Sequence, residues 1–449
     1  MVRGTPGRRT DRRTERRTAL GALAGGGAGG GVRAACGAGG PAEPPAAPVA
    51  APARLLLQSR RQGSGVSEVE YWEKTVARFN KQQRRAEATF EAFPPDKGPQ
   101  VLAAAGVLGD VVRAGGWGGE FPGLAVKGYL ADLTPHIQRE RYDLKQFYPA
   151  SIESLRLRSK QLGLPHVAHP GFGAHYLNLD ALAQAGVSEP DDATWTHVEL
   201  DALLKRLASS GRNDGSRWAA WPPTQLQHLL VAARAFGGDL LSRDGKRSLV
   251  AEPEAVAGLQ LVADLIIRNR LAPPPGTLQG AAVNHLIQGT VAAVWWNMFI
   301  IGTLKQQGQG LRWKAFLAPK GPKGRGIFMT TDPITVGAAS KAPDRAFELA
   351  RHAVAREANL DWYDMTGNPG GRVDFWEDRR VTDDPTSKVF ARAIAESTPL
   401  HHADNGLGDE HNQAVDRALG PLWAGTATVR DAADAARRAA QEVLDRSAG

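Results

Sequence analysis

Cys36 is the only cysteine among 449 residues, so no disulfide can form within the chain and the fold must be held by hydrophobic cores alone. The same residue closes a leader. Arg12-Arg13 and Arg16-Arg17 lie upstream, and the second pair runs into Thr18-Ala19-Leu20 and a Gly/Ala tract ending Arg33-Ala34-Ala35-Cys36-Gly37. A basic start, a short weakly apolar middle and small residues before a break form the pattern of a bacterial signal peptide. Paired arginines point to twin-arginine (Tat) export. A cysteine behind Ala34-Ala35 offers a thiol for lipid attachment. The alternative is an ordinary cut that leaves a stray thiol, since Arg33 stands where lipoprotein signals carry an aliphatic residue. Both readings place the folded part outside the cytoplasm.

The leader explains the charge. Residues 1–35 hold eight arginines against Asp11 and Glu15, and the remainder has 47 basic and 45 acidic side chains. The pI of 9.6 is therefore an export signal and gives no nucleic-acid footprint. Residues 37–53, rich in Gly, Ala and Pro, cannot bury a core and read as a disordered tether. About 395 residues follow, more than one core usually serves, so two lobes are expected. No apolar run approaches the roughly 18–20 residues that span a bilayer. The longest, Val291–Ile301, contains Asn297 and reads as a buried strand.

Strand-like and helix-like segments alternate from Arg54 onward, which predicts an α/β class with mainly parallel sheets. Strands are expected at Arg54–Gln58, Thr89–Phe93, Asp110–Arg113, Val291–Trp296, Trp313–Leu317 and Ile334–Gly337. Helices are expected at Glu70–Gln82, Val101–Val107, from Pro253 through Ile266, at Lys341–Ala355 and at Val429–Leu444. Pro253 suits a first helical turn, where a missing N–H costs nothing.

The order of elements over Gly128–Leu207 is specific. Tyr129-Leu130-Ala131-Asp132-Leu133-Thr134-Pro135 is followed by Phe147-Tyr148-Pro149-Ala150, Leu162-Gly163-Leu164-Pro165, Tyr176-Leu177-Asn178, Leu182–Val187 and Pro190-Asp191-Asp192-Ala193-Thr194-Trp195. Ala251–Pro274, Gly289–Leu304, Pro319-Lys320-Gly321-Pro322, Ser340–Ala350 and Thr366-Gly367-Asn368-Pro369 through Arg372 continue the pattern. Together these resemble the extracellular solute-binding proteins of ABC importers, in the sugar- and oligosaccharide-binding, maltose-binding-protein-like group (family 1). The resemblance spans Arg54 to Leu444. It departs at Gly109, in place of a proline, at His175 and at Phe299, where many relatives carry tryptophan. It implies a two-lobe periplasmic binding protein fold (type II) with a Venus-flytrap hinge. Residues 54–167 and 327–376 would form the N-terminal lobe, and 168–326 with 377–449 the C-terminal lobe, behind a leader at 1–36. It also implies a monomer that presents a carbohydrate to ABC permease subunits and meets the membrane only through a lipid on Cys36.

Sugars present C–H faces to flat rings and hydroxyls to buried donors and acceptors, and eleven tryptophans supply the rings. Trp117 follows the Asp110–Arg113 strand at a carboxyl end, the ligand-bearing edge of open α/β sheets; a packed loop anchor is the alternative. Trp295 and Trp296 end one strand and point to opposite faces, and the resemblance favours Trp296, Asn297 and Phe299 for the pocket. Trp221 closes another strand, with lobe core as the alternative. Asp332, before the Ile334 strand, can accept from two adjacent hydroxyls or start an Asx-turn. Arg372 can donate a bidentate pair or sit in a surface ion pair. His175 and Tyr176 complete the set, with core packing the competing role for Tyr176.

Other chemistries fit less well. His401-His402-Ala403-Asp404 and Asp409-Glu410-His411 have the residue types for zinc but no strong ligand spacing. A glycosidase needs two carboxylates at a fixed separation, which the adjacent pairs Asp191-Asp192 and Asp383-Asp384 do not give. The glycines flanking Trp117 lack a convincing helix behind them, so phosphate cradling is weak. A peptide or polyol phosphate remains an alternative solute, for which Arg60-Arg61 offer charge. The sequence thus implies a binding protein and not an enzyme, with no catalytic residue, no cofactor, no metal and no nucleic-acid partner.

Overall fold

The computed structural model describes residues 51–63 and 66–446. The leader, Cys36 and the tether through residue 50 lie outside the described residues. β1 begins at Ala53, one residue inside the bounds expected for the tether.

The described chain contains two main sheets with helices packed on them, a two-lobe α/β architecture. Its strands are β1 (Ala53–Ser59), β2 (Gln62–Gly63), β3 (Val66–Ser67), β4 (Ala86–Ala92), β5 (Val111–Arg113), β6 (Arg156–Leu157), β7 (Lys160–Gln161), β8 (Leu164–His169), β9 (Ala174–Asn178), β10 (Trp218–Ala220), β11 (Val291–Trp296), β12 (Trp313–Leu317), β13 (Phe328–Val336) and β14 (Thr398–Pro399). The first sheet runs β14-β13-β5-β1-β4, with β8 also on β13, and the second runs β10-β11-β9-β12. The short pairs β2-β3 and β6-β7 stand apart.

The sheets are mixed, which corrects the expectation of mainly parallel pairing. β1-β4, β1-β5, β10-β11 and β13-β14 are parallel. β9 runs antiparallel to β11 and β12, and β13 antiparallel to β5 and β8. The reason is connectivity. The chain leaves the first sheet at β8 and enters the second at β9 across only Pro170–Gly173, then returns from β12 into β13. A strand arriving from the neighbouring lobe enters a sheet from the opposite end to one delivered by a βα crossover.

β13 also corrects a boundary. The sequence suggested a strand from Ile334, with Asp332 before it. The strand instead begins at Phe328, and Pro333 sits at a bulge between Asp332 and Pro333 in the pairing with β8. A proline has no N–H to give to the ladder, and a bulge is where its absence is tolerated.

Packing follows residue pattern. Leu55 and Leu57 of β1 share a core with Tyr71, Trp72, Val76 and Phe79 of the helix Val69–Gln82, and with Phe347 and Ala350 of the helix Pro343–Ala353. In the second sheet successive residues serve opposite faces. Leu177, Trp295 and Phe316 enter one core, and Tyr176, Val294, Ala315 and Leu317 enter another. Strands covered on both faces read as continuous apolar runs, which explains Val291–Trp296. Among the described residues, no helix is long and apolar enough to cross a membrane.

Histidines are part of these cores. Burial lowers His169, His197, His228, His352 and His402 to pKa values of about 4. It also pulls His166, His175 and His411 below the ordinary histidine range. A group held neutral in this way takes up its proton first in the unfolded chain. Stability is therefore complete above the unfolded pKa of about 6.5 and is lost as pH falls toward 4. The thermal midpoint is expected to drop steadily between pH 7 and pH 5, before ordinary carboxylates titrate. Melting curves across that interval test this, and an unchanged midpoint down to pH 5 would contradict it.

Candidate ligand-binding cleft

The chain that leaves β5 meets a glycine-rich loop, Gly115-Gly116-Trp117-Gly118-Gly119, before the short helix Glu120–Val126. A helix does follow these glycines, contrary to the sequence expectation. Gly116 is there because of close approach: a Cβ on it would lie 1.8 Å from the Thr331 carbonyl oxygen of β13. Its N–H donates to Asp332 Oδ1 at 2.7 Å, and Gly115 N–H donates to Glu120 Oε2 at 2.6 Å. The backbone leading into Trp117 is thus fixed, and its ring packs on Phe328 with centroids 5.6 Å apart.

Beside this loop lies a cavity of about 250 Å³. One wall comes from the ends of first-sheet strands and the elements packed on them: Arg60, Glu68, Arg113, Trp117, His169, Thr330, Asp332, Trp362 and Asn368. The other wall carries Phe172, Gln227, Asn297 and Phe299. Aromatic faces and polar tips alternate around one concavity, the usual make-up of a small-molecule site.

The floor is a chain of buried ions. Arg113 Nη2 donates to Asp332 Oδ2 at 2.7 Å and Nη1 to Glu68 Oε1 at 3.3 Å. The Arg113 and Glu68 side chains are only 5% and 2% exposed. Glu68 also accepts from Ser59 Oγ at 3.2 Å and Trp72 Nε1 at 3.4 Å. Burial pushes the Asp332 carboxyl up, but Arg113, Arg60 and the Gly116 N–H more than offset it, so its pKa lies below the usual carboxylate value. Arg60 reaches Glu120 at 2.9 Å. Burial opposes its charge, and Glu120 and Asp332 outweigh burial and raise its pKa. His169, with its ring edge against Phe299 at 4.7 Å, is neutral near pH 7 because burial lowers it to about 4.

Of the residues singled out from the sequence, Trp117, Asn297, Phe299 and Asp332 meet in this cavity, and so does Arg60, named there only for an alternative charged solute. Asp332 is inside β13 and starts no Asx-turn, since its partners lie on β5 and the glycine loop. The others sit elsewhere. His175 stacks on Trp295 in the second-sheet core, 5.1 Å between centroids. Tyr176 is buried on the opposite face, and its hydroxyl donates to the Asn297 carbonyl at 2.8 Å, holding a cavity residue from behind. Trp221 packs against His285 at 5.2 Å. Trp296 wedges between Phe172 at 5.1 Å and His228 at 5.7 Å, one layer behind the cavity wall. Arg372 forms a bidentate pair with Asp374 at 2.7 and 2.6 Å and lines a separate first-lobe groove.

Sequence reasoning missed Glu68, Arg113, His169, Phe172, Gln227, Phe328, Thr330, Trp362 and Asn368. One signal was available. Asn368 stands in the same Gly/Pro loop as Arg372, and of the two it is Asn368 that lines this cavity. Among the described residues, no group of three or more His, Cys, Asp or Glu could hold a metal ion. His401 lies beside Asp239 at 3.4 Å, and His402 meets Phe121 edge-on at 6.2 Å.

Because Gly116 has no room for a Cβ, Gly116→Ala should cost about 1–3 kcal/mol of stability through overpacking. Gly302→Ala, where a Cβ meets nothing within 4 Å, should be neutral or stabilising. Denaturant unfolding of the two variants checks this, and equal stabilities would remove the close-approach argument.

Residues 64–359, more than half of the chain, match the family described as bacterial extracellular solute-binding protein. The fold is similar to that of the sugar-binding protein MalE from Xanthomonas citri, with a TM-score of 0.74, 16% identity, and coverage of 87% of this chain and 97% of that one. It is also similar to the cyclic α-maltosyl-1,6-maltose binding protein from Arthrobacter globiformis, with a TM-score of 0.73, 18% identity and coverage of 88% and 99%. The GacH receptor of Streptomyces glaucescens, solved unliganded and with acarbose, gives 0.70, 18% identity and coverage of 88% and 99%. These likenesses establish the fold over nearly the whole length of those proteins. With the family match, the mixed two-sheet topology and the cavity between the sheets, the chain belongs to the bacterial extracellular solute-binding proteins.

Proposed function

We propose that this protein captures a carbohydrate in the cleft and presents it to an ABC permease, and that residues 54–167 with 327–376 and residues 168–326 with 377–449 act as the two closing lobes. The observation that carries this reading is the pairing of aromatic faces with an acceptor carboxylate in one cavity. Trp117, Phe172, Phe299, Phe328 and Trp362 line it together with Asp332. Rings of that kind offer flat apolar faces for sugar C–H groups. Asp332 Oδ1 and Oδ2 each accept one protein hydrogen bond, which leaves lone pairs for adjacent hydroxyls. Similar structures are of proteins described with maltose, cyclic α-maltosyl-1,6-maltose and mannotriose. That supports the sugar class without choosing a sugar.

Contacts made by both walls are complete only when the lobes are closed, so a ligand bridging Trp117 and Phe299 stabilises the closed state. No covalent step is needed. The chain supplies affinity and selectivity as a monomer, and Cys36 supplies a lipid anchor outside the cytoplasm.

Thermal unfolding of the protein from Gly37 onward, against mono-, di- and oligosaccharides, tests the reading. Stabilisation by a ligand at a hundred times Kd is about 2.7 kcal/mol. A rise with one sugar class supports it, and a rise only with peptides or phosphorylated polyols replaces the ligand class. With the stabilising sugar, Trp117→Ala should lose about tenfold or more in affinity. Trp221→Ala, remote from the cavity, should stay within about twofold. In cells, Cys36→Ala should move the protein from the membrane to the soluble fraction; unchanged fractionation would exclude the lipid anchor.

A further inference from the structure

The cavity's acceptor carboxylate does not stand alone. Asp332 is fixed through Arg113, and Arg113 is fixed in turn by Glu68, a residue the cavity barely exposes. Each link has one geometry. Arg113 gives Nη2 to Asp332 at 2.7 Å and Nη1 to Glu68 at 3.3 Å, while its Nε is buried without a partner. The guanidinium also lies 5.6 Å from the Trp362 ring centroid, so a cavity wall limits its movement on the remaining side. Glu68 is anchored by Ser59 and Trp72 at the entry to the helix Val69–Gln82. The chain of ions therefore ties the end of β1, the start of that helix, β5 and β13 to one carboxylate.

We propose that Glu68 and Arg113 are positioning residues of the ligand site, which aim Asp332 into the cavity and keep it an ionised, acceptor-only group. In that state Asp332 accepts from ligand hydroxyl or ammonium donors and repels a ligand carboxylate or phosphate. The proposal rests on the ligand-capture reading only for its functional consequence, because the positioning itself is made entirely by protein atoms. The charged and titratable groups facing Asp332 are Arg113 from β5, Arg60 from the end of β1, Glu68 beyond Arg113, Glu120 beyond Arg60, and His166 and His169 from β8. Arg113 is the cation in direct contact with Asp332 and acts on it more strongly than Arg60 does. Glu68 competes with Asp332 for that cation, and this competition gives the two positioning residues opposite signs.

The test needs no ligand. The carboxyl carbon of Asp332, labelled as [13C]aspartate and assigned by its disappearance in Asp332→Asn, is titrated by NMR in the intact ligand-free protein. In Arg113→Gln its midpoint should rise by about one pH unit or more. In Arg113→Lys, which keeps a cation, most of that rise should be recovered. In Glu68→Gln, which leaves Arg113 to Asp332 alone, the midpoint should stay or fall. Loss of packing in general would move all three variants in one direction and would not distinguish lysine from glutamine. A midpoint in Arg113→Gln within about 0.3 of the wild-type value, or a rise in Glu68→Gln, overturns the proposal. If Arg113→Gln fails to fold, the Asp332 midpoint in Arg113→Lys should still lie above that in Glu68→Gln, and the reverse order overturns the proposal. The readout is independent of any sugar, so failure of the carbohydrate reading and failure of this inference are separate results.

Discussion

The Arg113–Asp332 contact is the constraint on which the cleft depends. It joins the end of β5 to the middle of β13, the strand that brings the chain back from the second lobe. A buried ion pair is not in itself a source of stability, because two desolvated charges cost about what their attraction returns. Its use here is geometric. Once Arg113 and Glu68 are inside, they have one satisfactory arrangement, and the Trp117 loop inherits it through the Gly116–Asp332 hydrogen bond. A flexible glycine segment thereby presents a rigid aromatic face.

Around that contact the two walls of the cavity are built differently. The first-lobe wall holds the charges, with every guanidinium matched to a carboxylate. The second-lobe wall contributes Gln227, Asn297, Phe172 and Phe299, which are uncharged and carried at the ends of elements or on the crossing after β8. Asn297 caps the short helical turn after β11, accepting from Phe299 N–H at 3.1 Å, so two wall residues are set by one local motif. Tyr176 braces the same point from the sheet behind it.

Much of the architecture was legible in the sequence because it follows from local pattern. The helix Val69–Gln82 announced itself through Tyr71, Val76 and Phe79, and β11 through its unbroken apolar run. Strand direction was not legible, since β9 and β13 are reversed by which lobe the chain comes from, and no residue pattern records that. The site was legible where a side chain sits at a strand's end, as with Trp117, or in a motif tied to the pocket, as with Asn297 and Phe299. It was not legible where strand neighbours diverge, although core packing already stood as the competing role for Tyr176. His175 and Tyr176 are adjacent to a crossing but point into the two cores of the second sheet. Glu68 and Arg113 look like ordinary surface charges in sequence, and only the fold brings them together across 45 residues. Long-range pairing of charges leaves no periodic trace.

The contrast between the walls has a consequence for how such a protein can diversify. Removing the Arg113 guanidinium strands the buried carboxylates of Glu68 and Asp332 and is strongly destabilising, so at its centre that wall can change only through coordinated replacements. Gln227, Asn297 and Phe299 carry no such debt, and each can be exchanged one at a time without leaving an ion unpaired. New ligand preferences would then arise by drift on one face of the cleft, read against a fixed electrostatic template on the other. Descendants of this chain would be expected to differ most in the wall that carries Gln227, Asn297 and Phe299.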